Sequence, residues 1–434
     1  MKEFNEGRGE MEKEREYTSK NGVKVYCYKN PALHGFYISL FVRAGMLYES
    51  EAEMGITHFL EHAIIRNVNK LYGMRLYSEL DKRGVEFNAS TFSEMVQFYV
   101  SGSLREFDFG SEVISHALDP LVLSKSEIDC ERKRIKAEIR ESDEKSSLAS
   151  FTSKVAFGNT PLARSIVGTN KTVDGITLSK LEKYRREMLS GENIFFYLTG
   201  GFTDSDVEKL LRTIEGKSLV LGKRFDNVAP VPSDFCKRVS DVHIKSSDFT
   251  MARLTFDIDM QKNSVAEIDL IYDVLLSGYN SKLFVELSEK RGLCYDISGG
   301  TERYKNIGTF HFSFEMKEKD IYEALKITVD ILLKMKSALL SDDECMKAGY
   351  VKNAYMLYDD FRELNFTFSY DNHIMGENYP SINDRIERYK NITPERIREI
   401  ASAVFRKENL TLTLKGNKKR IDKEKLIREI ERLS

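Results

Sequence analysis

The chain repeats itself, and a repeat constrains the fold more than any single motif, because each copy must build the same unit. "ITLSKLEKYRREMLSGENIFFYLTGG", from Ile176, reads like "ITPERIREIASAVFRKENLTLTLKGN", from Ile392. The offset of 216 residues between Ile176 and Ile392 also relates Asn193 to Asn409 and Gly200 to Gly416. Each copy predicts a helix opening after Thr177 or Thr393 as N-cap, then a short strand ending in glycine. A second pair, "RLYSELDKRGVEFNAST" (residues 75–91) and "KLFVELSEKRGLCYDIS" (residues 282–298), shares an L-x-x-E-L and K-R-G skeleton.

Between these markers the halves agree in kind. In "FYISLFVR", Ile38, Leu40 and Val42 share one side; in "RLTFDIDM", Leu254, Phe256, Ile258 and Met260 do; in "GTFHFSFEM", Phe310, Phe312, Phe314 and Met316 do. That is the period of half-buried antiparallel strands. "DIYEALKITVDILLKMKSALL" has apolar residues every three or four, the period of a helix. The expected fold is α+β: two homologous domains from an internal duplication, each a mostly antiparallel sheet with helices on one face. The expected layout is a charged tail over 1–16, a first domain over 17–214 and a linker over 215–237 carrying Pro230 and Pro232. A second domain over 238–418 follows, with a short surface helix over 419–434.

The copies differ at one place. The first holds "MGITHFLEHAIIRN" (residues 54–67); measured back from Gly84 and Gly292, its counterpart is "AEIDL" (residues 266–270), which has no histidine. A purely structural motif has no reason to differ in this way. On a helix, His58 and His62 lie about 40° apart on one face, and Glu61 about 60° to the other side of His58. Two imidazoles so placed can reach one metal ion, with Glu61 close enough to contact a bound water rather than the ion. H-x-x-E-H is the inverted form of the H-E-x-x-H arrangement of zinc peptidases. A third ligand must come from elsewhere, leaving a fourth position for water. "CERKRIKAEIRESDE" offers Glu131 and Glu138, seven apart on one face, although by itself such a stretch reads first as a solvated helix.

Composition excludes other classes. The formal net charge is −2 and no Lys/Arg block is long enough to suggest nucleic acid. The opening "MKEFNEGRGEMEKERE" has no apolar h-region, so no secretory signal is expected, and runs such as "NIFFYLTG" are too short to span a bilayer. Cys27, Cys130, Cys236, Cys294 and Cys345 are odd in number and widely spaced, which fits reduced thiols in a cytoplasmic protein better than a disulfide framework or a cysteine zinc site. His34, His116, His243, His311 and His373 are scattered and are assigned no role.

"NGVKVYCYKNP…FYISLFVRAGMLYESEAEMGITHFLEHAI" resembles the N-terminal signature of the pitrilysin/insulinase zinc peptidases, in particular the short mitochondrial-processing-peptidase type. The resemblance extends over nearly the whole chain, through "GVEFNAST", "ERKRIKAE" and "FVELSEKRGLCYDIS". It implies one Zn²⁺ per chain held by His58, His62 and Glu138, the last standing 76 residues after His62. It further implies Glu61 as the base that takes a proton from water and returns it to the leaving amine, and Glu131 as a carboxylate orienting a ligand histidine. The edge strand around Asn88 and Ala89 would accept a peptide substrate by β-augmentation.

One element departs from the family pattern. Members carry an arginine and a tyrosine in an "LR-E-K-x-G-L-x-Y" element of the second half, where they contact substrate. Here that element is "ELSEKRGLCY": the tyrosine is Tyr295, but the arginine position is Ser288, with Arg291 about one turn further on. Some two-chain members divide the labour, one subunit keeping the metal motif and the other the Arg/Tyr pair. The expectation is therefore a zinc endopeptidase of extended peptides or leader segments that pairs with an Arg/Tyr-bearing homologue in preference to itself. The alternative is a non-catalytic binding or assembly subunit on the same fold.

Overall fold

The computed structural model describes residues 13–144, 148–158, 160–220, 222–225, 241–246, 250–341 and 354–434. Most of the expected linker, the first twelve residues of the expected tail, Cys236 and Cys345 lie outside the described residues. The first half builds a six-stranded sheet from β1 (Arg15–Thr18), β2 (Lys24–Lys29), β3 (Gly35–Val42), β4 (Glu86–Thr91), β5 (Val96–Ser103) and β6 (Ile194–Gly200), in the order β1-β2-β6-β3-β5-β4. The second builds a five-stranded sheet from β7 (Asp241–Ser246), β8 (Met251–Asp259), β9 (Cys294–Arg303), β10 (Ile307–Met316) and β11 (Leu410–Gly416), in the order β7-β11-β8-β10-β9. Without β1, the two orders are the same. Each sheet is antiparallel except for one parallel pair, β2 with β6 and β7 with β11. β1 spans the boundary expected between tail and domain at residues 16 and 17. The repeated caps are also present: Thr177 accepts from the Lys180 N–H and Thr393 from the Arg396 N–H.

Five helices join the halves and shape the site: α1 (Ile56–Leu71), α2 (Lys125–Glu144), α3 (Leu148–Phe157), α4 (Val265–Leu276) and α5 (Phe361–Phe368). In the first core, Ile38, Leu40 and Phe196 of the sheet pack with Phe59 and Ile64 of α1 and Ile135 of α2. In the second, Leu254, Phe256 and Phe310 pack with Ile268 and Ile271 of α4. Leu426, Ile430 and Leu433 of the C-terminal segment also enter this core, so the expected surface helix docks by its apolar side.

The reading of half-buried strands needs correction, because β3 is buried on both faces. The second face of the first sheet is covered by α5 and the π-helical turn after it, so that Tyr28, Phe41, Phe195 and Tyr197 meet Leu364, Phe368 and Ile374. In return α3, from the first half, packs on the second sheet against β8 and β11, and the hydroxyls of Thr152 and Thr413 lie 2.5 Å apart. The exchange is reciprocal. Burying a side chain such as Phe41, Phe195, Leu364 or Phe368 is worth roughly 1.5–3 kcal/mol. Four together rival the whole stability of an ordinary domain, about 5–15 kcal/mol.

At the offset of Gly84 and Gly292, Glu61 maps onto Asp269 of α4. Asp269 accepts from Arg303 at 2.7 Å and from the Tyr389 hydroxyl at 2.9 Å. The copy that lost its histidines uses this position for a partly buried ion pair.

Asn365 pins α5 to the sheet. Its Oδ1 accepts from Ser39 at 2.7 Å, and its amide donates to the Tyr197 carbonyl at 2.9 Å and the Tyr37 carbonyl at 3.3 Å. Asn365→Leu leaves those buried groups without partners, which predicts a loss of about 1–3 kcal/mol in urea unfolding. Unchanged stability would mean that the exchange does not depend on this pin.

Candidate metal centre

α1 is held at its N-terminus by a residue outside it. The buried carboxylate of Glu49 accepts from the Gly55 N–H at 2.8 Å and the Thr57 N–H at 2.9 Å, where the helix exposes unpaired donors and the positive end of its dipole. Burial alone pushes the Glu49 carboxyl up, and those N–H groups oppose the push. Arg164 donates to the Glu49 carbonyl at 2.7 Å, and the Thr57 and Tyr184 hydroxyls are 2.7 Å apart. Gly55, at φ 86°, allows the chain of Val167 and Gly168 to cross here; a Cβ on Gly55 would lie 2.7 Å from the Val167 oxygen. The first turn of α1 is thus fixed from three sides.

One turn later, His58 and His62 face α2. His58 Nε2 lies 2.9 Å and His62 Nε2 3.5 Å from the two oxygens of Glu138. One ligand atom from each of His58, His62 and Glu138 falls within 4.8 Å of the others. Two neutral nitrogens and one carboxylate are a donor set that suits zinc and leaves a coordination position open. The chemistry around them also fits a cation. Burial disfavours charge on His58, yet Glu138 and Glu61 outweigh it and raise its imidazole to about 9. The Glu138 carboxyl is held below the ordinary glutamate range by His58.

The other sequence-predicted residues group around this centre. Glu131, almost fully buried, accepts from His62 Nδ1 at 3.3 Å and pairs with Arg66. Burial works against its charge, but His62 and Arg66 prevail and its carboxyl stays low. Glu61 lies 3.6 Å from His58 Nδ1 and accepts from the Thr91 hydroxyl. Burial there too favours the neutral acid, and the bonds from His58 and Thr91 overcome it. Asn88 and Ala89 stand on the edge strand β4, which ends at Thr91, and the Ala89 N–H donates to the Asn88 side chain at 2.8 Å. Tyr295 is the second residue of β9, in the other sheet, and its side chain lies outside the described residues. Arg291 is turned back on Glu286, donating to its carbonyl and carboxylate.

The sequence reading missed Arg66, Thr91 and Glu49. Arg66 had a signal: it follows His62 by four on the same helix face. A cavity of about 1340 Å³ opens beside the centre, lined by Phe92 and Ile139, each next in sequence to a site residue, and by Met46, Glu94, Arg164 and Tyr304.

Comparison with known proteins agrees with this arrangement. The profile of Insulinase (Peptidase family M16) matches residues 24–170, and that of the Peptidase M16 inactive domain matches residues 175–348. The chain belongs to the M16, or insulinase, family. Among M16-like proteins, it is 23% identical over 407 residues to an uncharacterized zinc protease of Streptomyces coelicolor, covering 90% of this chain and 87% of that one. Its fold is similar to that of a putative M16-like peptidase from Alicyclobacillus acidocaldarius (TM-score 0.79, 17% identity, 94% and 99% of the two chains). It is also similar to a peptidase M16 inactive domain from Pseudomonas fluorescens (TM-score 0.77, 14% identity, 93% and 98%). The M16 pattern of two similar domains is the duplication read from the sequence. No described helix is long and apolar enough to cross a membrane.

Glu131→Gln tests the support of His62. Zinc affinity is expected to fall about 10- to 100-fold, measured by competition with a chromophoric chelator. An affinity within twofold of the unaltered chain would mean that Glu131 does not orient the ligand.

Proposed function

We propose that this chain is a zinc endopeptidase that hydrolyses peptides or extended, unfolded segments such as the leader of a precursor. The observation that carries the reading is the position of Glu61. It lies on the same helix as two converging imidazoles, ionised and held to one side of the ligand set rather than within it. Zinc held by His58, His62 and Glu138 would supply a Lewis acid that polarises the peptide carbonyl and acidifies water. Glu61 accepts the proton of the attacking water and returns it to the leaving amine. β4 offers backbone donors and acceptors at a sheet edge, so an extended substrate aligns beside Asn88 and Ala89. Free thiols at Cys27, Cys130 and Cys294 suit a cytoplasmic setting.

Ser288 at the family's arginine position, with Arg291 engaged by Glu286, supports pairing with a homologue that carries the Arg/Tyr element. The same features, with the likeness to a structure described as an inactive domain, favour as second reading a binding or assembly subunit. Cleavage of a mixed quenched-peptide library by the zinc-loaded chain, alone and with the homologue that co-purifies with it, separates these. The expected result is weak cleavage alone and strong cleavage together, both lost by about 10²- to 10⁴-fold in Glu61→Gln with one zinc retained. Full activity of the chain alone would overturn the pairing. No cleavage in either case would overturn the peptidase reading.

A further inference from the structure

Within the peptidase reading, Glu61 needs more than proximity. A carboxylate that takes a proton and gives it back must keep one oxygen toward water, and a freely rotating side chain does not. Here the two oxygens differ. Oε2 accepts the Thr91 hydroxyl and is the oxygen 3.6 Å from His58 Nδ1. Oε1 accepts no hydrogen bond from any described residue. Ionised Glu61 can only accept, so Thr91 is the donor.

We propose that Thr91 is a positioning residue of the reaction: by donating to Oε2 it fixes the carboxylate and leaves Oε1 alone to carry the proton. The proton moves from the attacking water to Oε1 while the water oxygen bonds to the peptide carbon. The C–N bond then breaks, and the same proton passes from Oε1 to the departing nitrogen. Oε2 stays an acceptor throughout, so the bond from Thr91 survives both transfers.

Thr91 closes β4, and Ala89 stands two residues before it on the edge where a peptide backbone would pair. The strand that aligns the substrate is therefore the strand that aligns the base. A peptide that straightens β4 also sets Thr91, which couples docking to the readiness of Glu61. Thr91 touches neither the ligand set nor a core, so its hydroxyl can be removed without dismantling either.

The test compares Thr91→Val, which keeps the branched shape, with Thr91→Ser, which keeps the hydroxyl. On a library peptide, Thr91→Val is expected to lower kcat about 10- to 100-fold with KM within twofold and zinc affinity unchanged, and Thr91→Ser to restore most of kcat. A kcat within twofold for Thr91→Val, or equal losses for both variants, would overturn the proposal, as would a loss that follows zinc affinity. A crystal structure of zinc-loaded Thr91→Val supplies a readout apart from activity. The Glu61 carboxylate is expected to rotate away from its present plane, and a carboxylate that stays in place would overturn the proposal. If the unaltered chain cleaves nothing while Glu61 does rotate in the variant, the peptidase reading fails and the hold of Thr91 on Glu61 stands.

Discussion

Each sheet of this molecule has a face that its own half cannot cover, and everything else depends on how that face is closed. The first sheet presents Tyr28, Phe41, Phe195 and Tyr197 there, and only helices from beyond residue 354 shield them. The second presents Thr413 and its neighbours to α3, which precedes that sheet in sequence. The closure is mutual, so neither half is a complete domain in the sense of owning all of its core. A duplicated gene usually suggests two beads on a string. Here the duplication made two units that interlock, and a rigid frame for a site built on α1 and α2.

On that frame the chemistry rests on a concentration of negative charge. Glu61, Glu131 and Glu138 crowd two imidazoles, while Glu49 holds the helix that bears them. Arg66 offsets Glu131 alone. Buried carboxylates brought together at such cost need a compensating cation, and two histidines with Glu138 define where one fits. The second copy shows the other solution to the same geometry. Asp269 stands where Glu61 does in the first, and it is neutralised by Arg303 instead.

The sequence made the repeat, the strand order within each repeat and the histidine pair legible, because these follow from local period and spacing. Glu138 was legible only through family resemblance, since nothing in "CERKRIKAEIRESDE" itself separates a ligand from a solvated glutamate. The buried second faces were not legible. Alternation in β3 marks Ile38 and Leu40 as inward, but Ser39 is buried too, by Asn365, which lies 326 residues away. No local pattern encodes a partner so distant. Thr91 was missed for a similar reason: a threonine ending a strand is ordinary until Glu61 is seen beneath it.

The exchange of helices also sets an order of events during synthesis. β6 completes the first sheet at Gly200, yet the helices that cover its aromatic face extend to Ile386 and beyond. At about 5–20 residues per second, a ribosome needs roughly ten to forty seconds to make the intervening chain. For that interval Phe41, Phe195 and Tyr197 are bare on a nascent polypeptide, a sticky surface that chaperones recognise. The metal helix α1, whose core is complete far earlier, waits in a half-molecule until the other half has been translated.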